Sequence, residues 1–85
     1  MGYLFEWDPE KAKSNATKHR VTFEEACTVF ADPLAILKEE RYLLFGASGR
    51  GRILVVAFAE RPPSTRVISA RRAARSERIR YEEKE

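Results

Sequence analysis

RILVVAFA, residues 52–59, is the stretch that decides the fold of this 85-residue chain. After Arg52 its residues are apolar without interruption. A strand with no polar face has no side suited to water, so this pattern predicts a central strand covered on both faces.

Turn sequences bound this strand on both sides. SGRG at 48–51 and RPPS at 61–64 are rich in turn-forming residues. We therefore expect antiparallel neighbours at 41–47 and 65–69, and a short strand at 34–37.

Two helices are predicted before these strands. Asp8 has the position of an N-cap and Pro9 that of a first helical residue, so a helix is expected over 9–18. Thr22 and Glu25 have the spacing of a capping box, and an apolar stripe follows at 23, 26, 27 and 30. This second helix should end at Asp32, since the next residue is a proline.

The remaining elements complete an α+β fold. The aromatic residues Phe5 and Trp7 are two positions apart, the spacing of side chains on one face of a strand, so a short first strand is expected here. Ser69 is placed to cap a final helix from Ala70 to about Glu83. The predicted order is a strand, two helices, an antiparallel sheet of three to four strands and a C-terminal helix, in one domain spanning residues 1–85.

Composition restricts the class of protein. The single cysteine, Cys27, cannot form an internal disulfide. The N-terminus lacks the pattern of a signal peptide, and the longest apolar run, 53–59, is far below the roughly 20 residues that span a bilayer. We therefore expect a cytoplasmic protein that does not act in a membrane.

The charge is divided unevenly along the chain. Residues 1–40 contain eight acidic and five basic residues, whereas residues 41–80 contain ten arginines, no lysine and only two acidic residues. The planar guanidinium suits two-point contact with phosphate. This half of the chain therefore favours a polyanion as partner, although a solvated surface with ion pairs would have the same composition.

His19 is the only histidine. The ordinary pKa of a histidine, about 6.5, suits proton transfer near neutral pH. A histidine at the end of a helix also commonly binds the last carbonyls, so this position alone leaves both roles open.

Arginines cluster where the last strand is expected to meet the last helix. Arg66 lies in the strand, and Arg71 and Arg72 are expected at the helix start, where free N–H groups attract anions. Arg75 and Arg78 would share a helix face with Arg71. Glu77 in the same helix could act as a base, but pairing with a nearby arginine is the simpler role.

The sequence lacks the residues of several other chemistries. It contains no cluster of metal ligands and no glycine-rich phosphate loop, so neither a metal nor a cofactor is expected. RNA carries its own nucleophile, the 2′-hydroxyl, and an enzyme need only hold the phosphate, neutralise it and move protons. A set of basic residues with one histidine fits that task.

The sequence resembles the BrnT toxins along almost its whole length. The most specific combination is Trp7-Asp8-Pro9, Lys18-His19 and Ile68-Ser69-Ala70-Arg71. Further matching positions are Phe5, Lys11, Asn15, Phe23, Glu24, Glu25, Phe30, Asp32, Arg41, Gly46, residues 52–56, Arg66, Glu77 and Tyr81.

The resemblance implies a RelE-like ribonuclease fold and a growth-inhibiting toxin of a type II toxin–antitoxin pair. It also implies a BrnA-type antitoxin that neutralises the toxin, assembly of the two as a heterotetramer, and contact with operator DNA only through the antitoxin. On matching positions and suitable chemistry, we expect His19, Arg66 and Arg71 to be catalytic. The residues expected to bind RNA are Lys18, Arg41, Arg72 and Arg75.

Two other classes fit the same residues. One is a nucleic-acid-binding module without catalysis, which would bind RNA and leave it intact. The other is an interaction protein whose basic face serves only an acidic partner.

Overall fold

The computed structural model describes residues 4–38 and 42–83 and confirms an α+β architecture. Within these residues, three α-helices accompany a five-stranded sheet. The elements in chain order are β1 (Phe5–Glu6), α1 (Pro9–His19), α2 (Phe23–Thr28), a 3-10 helix (Val29–Ala31), β2 (Ile36–Leu37), β3 (Leu43–Ala47), β4 (Ile53–Arg61), β5 (Ser64–Arg72) and α3 (Arg75–Glu83).

The apolar stretch forms β4 and occupies the centre of the sheet, whose order is β1-β5-β4-β3-β2. Leu54, Val56 and Phe58 point to one face and join the main core with Phe23 and other residues of the α2 region. Val55 points to the opposite face and is also buried. The predicted central position, covered on both faces, is confirmed.

The sheet differs from the prediction in strand number and direction. It has five strands instead of three to four, and β1 runs parallel to β5, with Glu6 aligned to Arg66. The other strand pairs are antiparallel. A two-residue strand carries too little alternation to reveal a partner 60 residues away.

The second helix is shorter than predicted. α2 gives way to the 3-10 helix, which ends before Asp32. Thr22 accepts a hydrogen bond from the N–H of Glu25 at 3.0 Å, which is one half of the expected capping box. The Glu25 side chain is engaged elsewhere, with residues of the β3–β4 hairpin.

The prediction of a helix from Ala70 capped by Ser69 is wrong. β5 remains paired with β4 as far as Leu54 and Arg72, and this ladder outweighs the helix propensity of the Ala-Arg-Arg stretch at 70–72. α3 therefore starts later. The N-terminus of α3 is capped by one of the helix's own residues, since the Glu77 carboxylate accepts a hydrogen bond from the N–H of Ala74 at 2.7 Å.

Candidate functional site

Two arginines of β5 point to the same face of the sheet. Arg66 lies opposite Ala59 and Arg71 lies opposite Val55, and these positions of β4 share one face. A β-bulge at Ile68 places one extra residue in β5, between the two arginines. Arg66 and Arg71 therefore both lie on the face opposite the core of α1 and α2.

Arg72 has a different position from the one predicted. It lies opposite Leu54, on the helix-covered face. Arg71 and Arg72 are adjacent residues of β5 that point to opposite faces, so they do not lie together in the first turn of a helix as predicted. The expected helix face shared by Arg71, Arg75 and Arg78 is wrong for the same reason, since only the last two lie in α3.

Glu77 holds Arg71 in a two-point contact. Nη1 and Nη2 of Arg71 each donate to one carboxylate oxygen of Glu77 at 2.9 Å. The Arg71 side chain remains 44% exposed. The hydrogen bonds from Arg71 are the main reason that the pKa of Glu77 is lowered to about 2, against the opposing effect of burial. So weak a base is unsuited to accept a proton in catalysis, and the simpler role of Glu77, pairing with an arginine, is confirmed.

Arg66 is also oriented by a carboxylate. Its Nη1 donates to Oε2 of Glu6 at 3.5 Å, and Arg61 approaches the same oxygen at 3.9 Å. The parallel pairing of β1 with β5 sets Glu6 beside Arg66. This contact is longer than the Arg71–Glu77 pair and involves a single nitrogen, so it holds Arg66 less tightly.

His19 and Lys18 lie at the C-terminal end of α1, beside the β5 bulge. Together with Ile68 and Ser69 they line an open groove of about 200 Å³. His19 is partly buried and Lys18 is exposed. The groove thus contains a group suited to proton transfer and a cation next to the strand that carries Arg66 and Arg71.

Asn15 fixes the position of α1 against β5. Its buried side-chain amide donates to the carbonyls of Val21 and Ala70 at 2.9 and 2.8 Å. Its carbonyl oxygen accepts from the N–H of Ala70 at 3.2 Å. These bonds connect the end of α1, the following loop and β5, and so they set the width of the groove at His19.

The structure brings the predicted residues together only in part. Ser69, in the groove with His19, shares a sheet face with Arg66 and Arg71. Within residues 4–38 and 42–83, no hydrogen bond or ion pair joins His19 to either arginine. Arg75 is exposed at the first position of α3, and Arg41 lies outside the described residues.

The hydrogen bonds around the buried carboxylate of Glu25 were not predicted from the sequence. Glu25 accepts hydrogen bonds from Ser48 at 2.7 Å and from Nε of Arg52 at 3.0 Å. The pKa of Glu25 is lowered, chiefly by the hydrogen bonds from Arg52. The Thr22–Glu25 spacing gave a local explanation for this glutamate, and no local pattern points to a partner 27 residues later.

Asp32 forms a second unpredicted junction. It accepts hydrogen bonds from the hydroxyl of Tyr81 at 2.6 Å and from the N–H of Ala47 at 2.8 Å. Burial raises the pKa of Asp32, but these bonds and one from the N–H of Leu34 outweigh it, so the net shift is downward. α3 is thereby attached to the sheet at two points, through Tyr81 and through Glu77.

The described residues provide neither a metal site, a reactive thiol nor a membrane-spanning helix. Across 4–38 and 42–83, no three side chains of His, Cys, Asp or Glu are arranged to hold a metal ion. Burial, with a smaller effect of Glu24, raises the pKa of Cys27 to about 11, so this thiol is a poor nucleophile. No helix in this part of the chain has the length and apolarity needed to cross a membrane.

Comparison with known families identifies the chain. The family model described as "Ribonuclease toxin, BrnT, of type II toxin-antitoxin system" matches residues 7–77. The chain belongs to the BrnT family. As a BrnT-family member it is a ribonuclease toxin of a type II toxin–antitoxin system, as the sequence resemblance implied. No protein of curated function matches the sequence significantly.

The BrnT fold is also seen in a solved structure. The 1.1 Å crystal structure of the Brucella abortus ribonuclease toxin BrnT matches with a TM-score of 0.67 and 23% sequence identity. The match covers 87% of this chain and 100% of the Brucella chain. At this identity, the likeness shows that the two proteins share a fold.

Proposed function

We propose that this BrnT-family chain cleaves RNA without a metal ion, by attack of a 2′-hydroxyl on the adjacent phosphorus. The observation that carries the proposal is that Arg71 is held in a fixed orientation while it stays accessible. Its guanidinium is fixed by Glu77 on the sheet face that it shares with Arg66, and it remains partly exposed. A fixed cation of this kind stabilises the negative charge that develops on a phosphate in the transition state.

The proposed reaction is a transesterification. The 2′-hydroxyl loses its proton to a base, and its oxygen forms a bond to phosphorus. The bond from phosphorus to the 5′-oxygen breaks, and the departing 5′-oxygen receives a proton from an acid. The products are a 2′,3′-cyclic phosphate and a 5′-hydroxyl end. Arg66 and Arg71 hold the phosphate, and His19 acts as general acid or base.

Other basic residues are proposed to bind flanking phosphates. They are Lys18 in the His19 groove, Arg72 at the end of β5, Arg75 at the start of α3, and Arg41. Contacts of this type position a strand without reading its sequence.

Membership of a type II toxin–antitoxin family implies an antitoxin partner and an RNA substrate. We propose in addition that the antitoxin is of the BrnA type, that it forms a heterotetramer with the toxin in the cytoplasm, and that only the antitoxin contacts operator DNA.

The test is cleavage of a defined RNA in excess EDTA by the native chain, Arg71→Ala and His19→Gln. We expect native cleavage with cyclic-phosphate ends, a loss of roughly 10²–10³-fold for Arg71→Ala and at least 10²-fold for His19→Gln. Lys13→Ala, an exposed change outside the His19 groove, is the matched control. Bound but intact RNA would support the non-catalytic module, and cleavage only with added Mg²⁺ would overturn the metal-free mechanism.

A further inference from the structure

Three arginines from three parts of the chain line one cavity away from the His19 groove. The cavity has a volume of about 350 Å³. Arg52 reaches it from the residue preceding β4, Arg72 from the end of β5, and Arg78 from α3. Glu82 is the one acidic residue among its described lining residues. Glu25 lies outside the lining but pairs with Arg52, so the three arginines and these two carboxylates carry a net charge of +1.

Arg52 is locked in place by a buried carboxylate. Its Nε and Nη2 both donate to Glu25, whose side chain is only 5% exposed, and Nη2 also donates to the carbonyl of Arg20 at 3.0 Å. Within residues 4–38 and 42–83, Nη1 of Arg52 forms no hydrogen bond. Since the Arg52 side chain is 24% exposed, its two free N–H groups are held ready for a ligand at little further entropic cost.

Arg72 and Arg78 lack a counter-charge in the described part of the chain. No described carboxylate, including Glu82, lies within 4.0 Å of either guanidinium. Cations brought together around one cavity repel each other, and a bound anion relieves that repulsion.

We propose that this cavity binds a backbone phosphate of a single-stranded polynucleotide. The inference rests on the proposed ribonuclease function and adds a subsite to it. Arg71 and Arg72 are adjacent and point to opposite faces of β5, so the end of this strand separates the proposed cleavage face from the cavity. A strand of RNA that crosses the end of β5 contacts both, with one phosphate at Arg71 and another, further along the strand, in the cavity.

The test measures binding of a 2′-O-methyl oligonucleotide, which cannot undergo 2′-hydroxyl attack, at a series of KCl concentrations. The variant is Arg72→Gln with Arg78→Gln. Neutralisation of one phosphate contributes about 0.7 to the slope of log affinity against log salt for a single strand. We therefore expect the slope to fall by about 0.7 and the affinity at 0.1 M salt to fall roughly fivefold.

The matched control is Lys13→Gln with Arg80→Gln, which removes the same charge from exposed positions outside the cavity. Equal losses in the two double variants would show a general charge effect and overturn the proposal. Arg72→Lys with Arg78→Lys should retain the native slope, and thermal unfolding of each variant checks that the fold is intact.

The outcomes also separate the subsite from the cleavage reaction. If the native chain leaves RNA intact but the slope difference is present, the subsite stands and the ribonuclease mechanism fails. If oligonucleotide binding is unchanged while binding of an acidic protein partner is lost, the cavity receives a protein carboxylate and the phosphate proposal is wrong.

Discussion

Replacement of Asn15 by alanine is expected to be among the most damaging single changes outside the apolar core. The Asn15 amide makes three hydrogen bonds to backbone groups of Val21 and Ala70. Each of these backbone groups lies in a buried environment, where water does not readily replace the lost partner.

The magnitude follows from the number of bonds. A buried hydrogen bond contributes about 1 kcal/mol net, so the loss of three predicts a fall of about 3 kcal/mol in the free energy of unfolding. For a chain of this size each kcal/mol lowers Tm by roughly 4–8 °C, which predicts a fall of roughly 12–24 °C.

Urea denaturation and thermal unfolding of Asn15→Ala, Asn15→Asp and Ser14→Ala measure the effect. Asn15→Asp keeps the shape and one acceptor but sets an ionised carboxylate against two carbonyl oxygens, so at pH 7 it should be at least as damaging as alanine. Ser14→Ala is an exposed neighbour and should change stability by less than about 0.5 kcal/mol. A near-native Asn15→Asp, or a cost below about 1 kcal/mol for Asn15→Ala, would refute the reasoning.

Three further predictions follow from other contacts. Glu77→Gln weakens the two-point contact with Arg71, so cleavage of a fluorogenic RNA should fall roughly tenfold. Native activity in this variant would contradict a positioning role for Glu77. Tyr81→Phe removes the hydrogen bond to Asp32, and urea unfolding at pH 7 should show a loss of about 2 kcal/mol. Because the folded pKa of Asp32 is lowered, this contribution is present above the unfolded pKa and should be lost as pH falls through the folded one; a difference that stays the same throughout the acidic range would argue against it. Gly46→Ala would place a Cβ at 2.9–3.0 Å from three side chains and should cost about 1–3 kcal/mol in urea unfolding. Gly49→Ala, with contacts no closer than 3.5 Å, is its control, and equal effects of the two changes would show that crowding is not the cause.

Local patterns in the sequence were sufficient for the central strand and for the starts of the first two helices. β4 is an uninterrupted apolar run, and the caps at Asp8 and Thr22 are set by neighbours within three residues. The features that were wrong depend on distant partners: the first strand was predicted but its place in the sheet was not, and residues 70–72 were predicted as helix. β1 is defined only by its pairing with β5, and residues 70–72 are in a strand because β4 lies beside them.

The candidate site shows the same limit. Family resemblance and residue type selected Arg66, Arg71 and His19. The carboxylates that orient the two arginines, Glu6 and Glu77, depend on strand pairing and on the true start of α3. Pairing of Glu77 with a nearby arginine was the simpler of two roles considered from the sequence, without its partner named, whereas the contact between Glu25 and Arg52 requires the folded chain.

The bulge at Ile68 sets the register in which the end of β5 pairs with β4. In this register Ala70 is buried against Asn15 and Arg71 faces Glu77. Straightening the bulge would slide residues 69–72 by one position along β4, and every side chain in this segment would change faces. Arg71 would then turn toward the helices, and Arg72, opposite Ile53, would lie on the other face. The hydrogen bonds between Asn15 and Ala70 therefore favour the register in which Arg71 shares a sheet face with Arg66.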